Sequence, residues 1–171
     1  MTKLKFQCFM DYEDGKIARV ETTDDEGTEI PVNIFIDNAD ECENAKEGPC
    51  TIDICAIGSN IRIFSSEEDY DNDETNKMAS VSMIPMGTFP ANDDWEHFEQ
   101  SPHILFSGKV LAVEWNPSAK PDEPNCDIAI ETLGFTFNLY LRYEGNIETG
   151  NIVHGVAWLF GDMIMGEYGG N

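Results

Sequence analysis

The residues with the most chemical potential in this chain are carboxylates. The stretch "SSEEDYDNDETNK", residues 65–77, sets Glu67, Glu68, Asp69, Asp71, Asp73 and Glu74 ahead of any base. Such a run can hold a hard cation, meet a basic protein surface, or simply face water. Calcium is the sharpest of these ideas, because Asp69, Asp71 and Asp73 fall at positions one, three and five of an EF-hand-like loop. The pattern then fails. Position six is Glu74 where the turn needs glycine, and position twelve is Ser80 where a bidentate glutamate is needed, so no metal is expected. The stretch reads instead as a solvated loop.

Three further acid clusters lie at residues 21–29, 37–47 and 92–99. On a β scaffold, loops between strands gather at the ends of the sheet, so several clusters could merge into one negative surface. A surface of that kind steers basic partners toward it. The expected contact residues are Glu67, Glu68, Asp69, Asp71, Asp73, Glu74, Asp93, Asp94, Trp95 and Glu96, the tryptophan serving as an anchor inside a charged rim. Against this, a turn at 92–99 capped by Asn92 or Asp93 would bury Trp95 and Phe98 as a plug on the sheet.

Catalytic patterns are missing from the sequence. His97, His103 and His154 lack metal-ligand spacing, and there is no Gly-x-Ser-x-Gly, no Walker loop and no dinucleotide fingerprint. Adjacent acids such as Asp93 and Asp94 are expected by chance where Asp and Glu number 33. The acid around Cys42 and Cys50 raises rather than lowers a thiol pKa. The expectation is therefore a non-enzymatic protein with no cofactor. Cys8, Cys42, Cys50, Cys55 and Cys126 are odd in number and scattered, which predicts free thiols rather than a disulfide framework.

Charge sets the partner class. Lys and Arg number 10 against those 33 acids, a formal net charge of −23. Nucleic acid is excluded as a direct ligand, since its affinity comes from cations on the protein, and anionic membranes are disfavoured likewise. The N-terminus "MTKLKFQCFMDYEDG" has no long apolar run with a small-residue cleavage site, and the apolar window at 152–165 is too short to span a bilayer. A cytoplasmic protein is expected.

The elements that must position these acids are strands. Apolar residues recur at spacing two, rich in Ile, Val and Phe, and no window keeps a helical period. In "FTFNLYLR", Phe135, Phe137, Leu139 and Leu141 share one face and Thr136, Asn138, Tyr140 and Arg142 the other. "DIAIETL" alternates just before it, and Gly134 is read as a bend within one long strand. With 103–115 and 151–164, this makes a meander of three long, glycine-kinked strands, the last reached by a hairpin through "YEGNIETGN". Earlier strands are predicted at 3–10, 16–22, 31–36, 50–57 and 60–64, with turns at "EDG" and "GSN" and a short strand within 79–86. Trp115 and Trp158 sit in strand patterns and are expected in the core. Helix is limited to a turn near Asn38 or Asp40 and the one at 92–99.

The expected fold is mainly β, an antiparallel and strongly curled sheet forming a barrel or sandwich. One domain covers 1–171, with a soft boundary near 101 between an acidic, hairpin-rich half and the meander. The meander resembles in shape the first half of an OB-type barrel, with earlier strands needed to complete it. In charge and size the chain is similar to small inhibitors of restriction or CRISPR systems and to immunity proteins, some of which mimic DNA. The expected function is thus an acidic inhibitor or immunity-type protein occupying a basic site on a partner protein. The alternatives are a small-ligand or ion-binding β barrel, and a β domain whose acid is only a solvated coat.

Overall fold

The computed structural model describes the chain except residues 1, 77, 89–94, 97 and 167–171. It is mainly β, with 55% strand against 6% helix, and contains a closed five-stranded barrel plus further strands, as the alternating patterns imply. The chain forms two compact units, one from residues 1–54, 85–104 and 158–171, the other from 55–84 and 105–157.

In the first unit, β1 (Thr2–Tyr12) and β2 (Gly15–Thr23) make the hairpin expected at "EDG". Glu13 takes the turn with a φ of 49°. Next to β2 lies β3 (Glu29–Ile36), and on the far side of β1 lies β4 (Gly48–Ile52), both antiparallel. Inward-facing Phe6, Ile17, Val20, Ile34 and Ile52 are buried and form this unit's core.

In the second unit, β5 (Cys55–Phe64), β7 (His103–Trp115), β8 (Cys126–Thr132), β9 (Phe135–Leu141) and the first part of β10 (Ile152–Gly161) close the barrel. The short β6 (Ser82–Ile84) adds to β7. Phe106, Val110, Ile128, Ile130, Phe137 and Leu139 fill the core. Phe135, Phe137, Leu139 and Leu141 are all buried, so the face assigned to "FTFNLYLR" is the observed one.

Several expectations are corrected. Gly134 does not bend one long strand: Thr132 pairs with Phe135, so Leu133 and Gly134 are a two-residue hairpin loop joining β8 to β9, with Gly134 at φ 90°. The meander is therefore β7, β8 and β9, and β10 does not follow β9 by a hairpin. Its neighbours are β3, β5 and β7. β10 also stops at Gly161, and β11 (Met163–Met165) is a separate strand on β4.

The predicted strand at 50–57 is likewise divided between β4 and β5, and β5 runs straight through "GSN". Asn60 adopts a φ of 53° inside it, a conformation that asparagine tolerates better than most residues, so a strand kink carries a turn's signature. Opposite that kink, a Cβ on Gly155 would lie 2.5 Å from Ile61 Cδ1 and 3.0 Å from the Asn60 carbonyl oxygen, so only glycine lets the backbones approach. Trp115 is 42% exposed and Trp158 half-buried against Phe35, so neither is a fully buried core residue.

The acidic run at 65–77 is not merely a solvated loop. Glu67–Asn72 forms a helical turn, α1, whose start Ser66 caps by accepting the Asp69 N–H at 3.1 Å. Three acids in its first turn sit favourably with the helix dipole. At 39–42 a 3-10 turn stands where a short helix was expected.

Candidate functional site

Candidate side chains gather in two places, one in each unit. In the second unit, α1 is anchored by Tyr70, which is fully buried with its ring edge-on to Phe64. This docks the acids outward: Glu67, Glu68, Asp69, Asp71 and Glu74 are exposed and Asp73 half-buried. Part of the cluster is held internally. Glu67 accepts from the Ser80 hydroxyl at 2.6 Å, and Ser65 donates to Asp69. Asp73 accepts from the Thr75 N–H at 2.9 Å and its hydroxyl at 2.6 Å and lies 3.6 Å from Arg62. The Thr75 hydrogen bonds, then the Arg62 charge, hold the Asp73 carboxyl below its ordinary range.

Beneath α1 the Tyr70 hydroxyl lies 3.0 Å from the Met78 carbonyl oxygen and 2.7 Å from Ser107 Oγ, which is 2.7 Å from His154 Nδ1. Three contacts need three protons. Tyr70 and Ser107 supply one each, so the third is on Nδ1 of His154: His154 donates to Ser107, Ser107 to Tyr70, and Tyr70 to Met78. Ser107 is fully buried, and its histidine neighbour is a donor rather than a base. These linked hydrogen bonds hold α1 in place over the barrel. Burial, then the Arg62 charge, pushes the His154 pKa down.

In the first unit the acids gather around the 3-10 turn. Asn38 fixes its start by bonding Met163 twice, donating to its carbonyl at 2.9 Å and accepting its N–H at 2.8 Å. On one side, Asp11, Glu13, Asp14, Asp37 and Asp40 line a cleft of about 540 Å³ with Lys16, itself paired to Asp11. On the other, Asp40, Glu41 and Glu43 line a cleft of about 610 Å³ with β11. Asp37 has its pKa raised by burial and by the Asp162 carboxylate. Cys42 in the second cleft donates to the Met163 carbonyl at 3.3 Å, and burial with Glu41 and Asp162 raises its pKa, which makes it a poor nucleophile.

All five cysteines are free thiols. Among the described residues, no group of three or more His, Cys, Asp or Glu is placed to hold a metal ion, and no helix is long and apolar enough to cross a membrane.

The predicted contacts thus distribute as follows. Glu67, Glu68, Asp69, Asp71, Asp73 and Glu74 come together on and after α1. Trp95 and Glu96 are exposed in a turn, Trp95 at 55% with its ring edge-on to Phe98, so the turn does not bury both aromatics. Asp93 and Asp94 lie outside the described residues. Within the rim, Asp37 and Asp40 belong to the acid cluster at 37–47, whereas Asp11, Glu13 and Asp14 stand outside the clusters read from sequence. A signal was available: β2 begins where β3 ends, as the Ile17–Phe35 pair shows, so the "DYEDG" turn must stand beside "DNAD". Comparison of the chain with protein-family models, with curated proteins and with solved structures finds no match to any of them.

Proposed function

We propose that this chain is a non-enzymatic binding protein whose acidic surface occupies a basic site on a partner protein, as an inhibitor or immunity-type protein with a DNA-mimic-like surface does, and that it works in the cytoplasm. The observation that carries the reading is the charge and its placement. The ten bases can neutralise fewer than a third of the 33 carboxylates. The uncompensated acid is massed on turns and on α1 rather than spread over strand faces. Self-repulsion on this scale opposes folding, and solubility needs far less of it. A cationic partner relieves the repulsion on binding, so the same charge that opposes folding drives association.

The test is affinity capture by the full chain from native lysate at low salt, washed with rising ionic strength, each fraction identified by mass spectrometry. One basic protein retained after all others have eluted is the expected result. Elution of everything together at modest salt overturns the reading.

A further inference from the structure

On the outer face of the second unit's meander, ladder register places Glu114 of β7 opposite Asp127 of β8, Asp127 opposite Tyr140 of β9, and Tyr140 opposite Ile57 of β5. These four side chains form one row across four strands. Like charges directly opposite one another on a sheet face destabilise it, whereas opposite charges stabilise it. The same two strands show the stabilising choice one end further along, where Lys109 faces Glu131. Between the two rows lie Ala112 and Ala129, also opposite each other, whose small side chains leave the face shallow there. The Glu114–Asp127 pair therefore works against the sheet that carries it. Asp127 is held in place by Asn138, which donates to its Oδ1 at 3.0 Å.

The row also borders a cavity of about 350 Å³, lined by Glu114, Asp127 and Tyr140 together with Trp115. Trp115 is 42% exposed and Ile57 is 53% exposed, although both sit in well-paired strands. The two carboxylates and two aromatic rings that line the cavity match one chemical group. A guanidinium offers a planar fork of donors to carboxylates, stacks on aromatic faces, and carries an aliphatic stem that covers apolar surface. A negatively charged ligand is repelled here, and a neutral one leaves the carboxylates facing each other.

We propose that this cavity receives an arginine side chain from a basic segment of a partner protein. The inference rests on the acidic-surface reading above and names one contact point for it, away from the acids of α1.

The test uses the full chain labelled with ¹⁵N and two capped tripeptides, Gly-Arg-Gly and its neutral isostere Gly-citrulline-Gly. The indole N–H signal of Trp115, assigned with Trp115→Phe, is followed alongside all backbone amides. A saturable shift of that signal with the arginine peptide only is expected. The double variant E114Q/D127N weakens it by about tenfold or more, as loss of charge-assisted hydrogen bonds requires. The double variant removes a repulsion and keeps both shapes, so its melting temperature is expected to hold or rise, which separates lost binding from lost folding. If the arginine peptide moves amides around the first unit's acidic rim or α1 but not Trp115, or if both peptides move Trp115 equally, this site is refuted and the broader reading stands. If the arginine peptide moves nothing even at low salt, the acidic-surface reading fails as well.

Discussion

Replacing Tyr70 with phenylalanine removes one oxygen from the second unit and keeps the ring that packs on Phe64, so it isolates the proton chain beneath α1. Two hydrogen bonds are lost, to the Met78 carbonyl at 3.0 Å and from Ser107 at 2.7 Å. Ser107 can then turn its proton toward His154 if that ring changes tautomer, which spares one buried donor. The Met78 carbonyl loses its Tyr70 donor. At about 1 kcal/mol net for each neutral bond, the expected loss is about 2 kcal/mol. For a chain of this size that is a fall in Tm of about 4 to 8 °C. Urea unfolding gives the free energy, and ¹⁵N shifts of the imidazole give the tautomer. The wild type is expected to carry its ring proton on Nδ1 and the variant on Nε2. Unchanged stability together with an Nε2–H tautomer in the wild type would refute the proton assignment and the anchoring of α1.

Phe137→Ala removes a buried ring that meets Phe106 edge-on at 5.1 Å, and is expected to cost about 3 to 5 kcal/mol in a denaturant titration. Neutralising exposed Glu68, Asp71 and Glu74 together should hold or raise the melting temperature, because they contribute repulsion, whereas Asp73→Ala should lower it by freeing Thr75 and Arg62. Burial pushes the Cys50 thiol up to about 11 from 9.0, so the native state holds a proton that the unfolded chain releases first. Its contribution to stability is intact below pH 9.0 and is lost as pH rises toward about 11, which thermal melts across that window will show and Cys50→Ala will flatten. His103 and His154 both have pKa values lowered from 6.5, so their contribution runs the other way and is lost as pH falls below 6.5.

The strand faces were legible because alternation reports burial directly: every apolar position named in "FTFNLYLR" is buried. Connections were harder. Gly134 separates two runs that both alternate, and alternation is the same whether the chain bends or reverses, so the pattern does not distinguish a hairpin from a bend. Asn60 is ambiguous in the same way, since a left-handed residue marks a kink as readily as a turn. The position of β10, beside β5 and β7 rather than β9, is a long-range pairing that no local pattern encodes. α1 escaped because a single apolar residue, Tyr70, docks it, too few for a helical period. Of the candidate sites, the acid content was visible at once and the Glu114–Asp127 opposition was not, because it depends on a register that includes a bulge between Val110 and Ala112.

On the proposed function, carboxylates and not an apolar patch drive association. Its most direct test is the affinity of the full chain for the basic protein it captures, measured across a series of salt concentrations. A steep loss of affinity with rising salt is expected, carried mainly by slower association, with a shallower dependence for E114Q/D127N. An affinity that is insensitive to salt would contradict it.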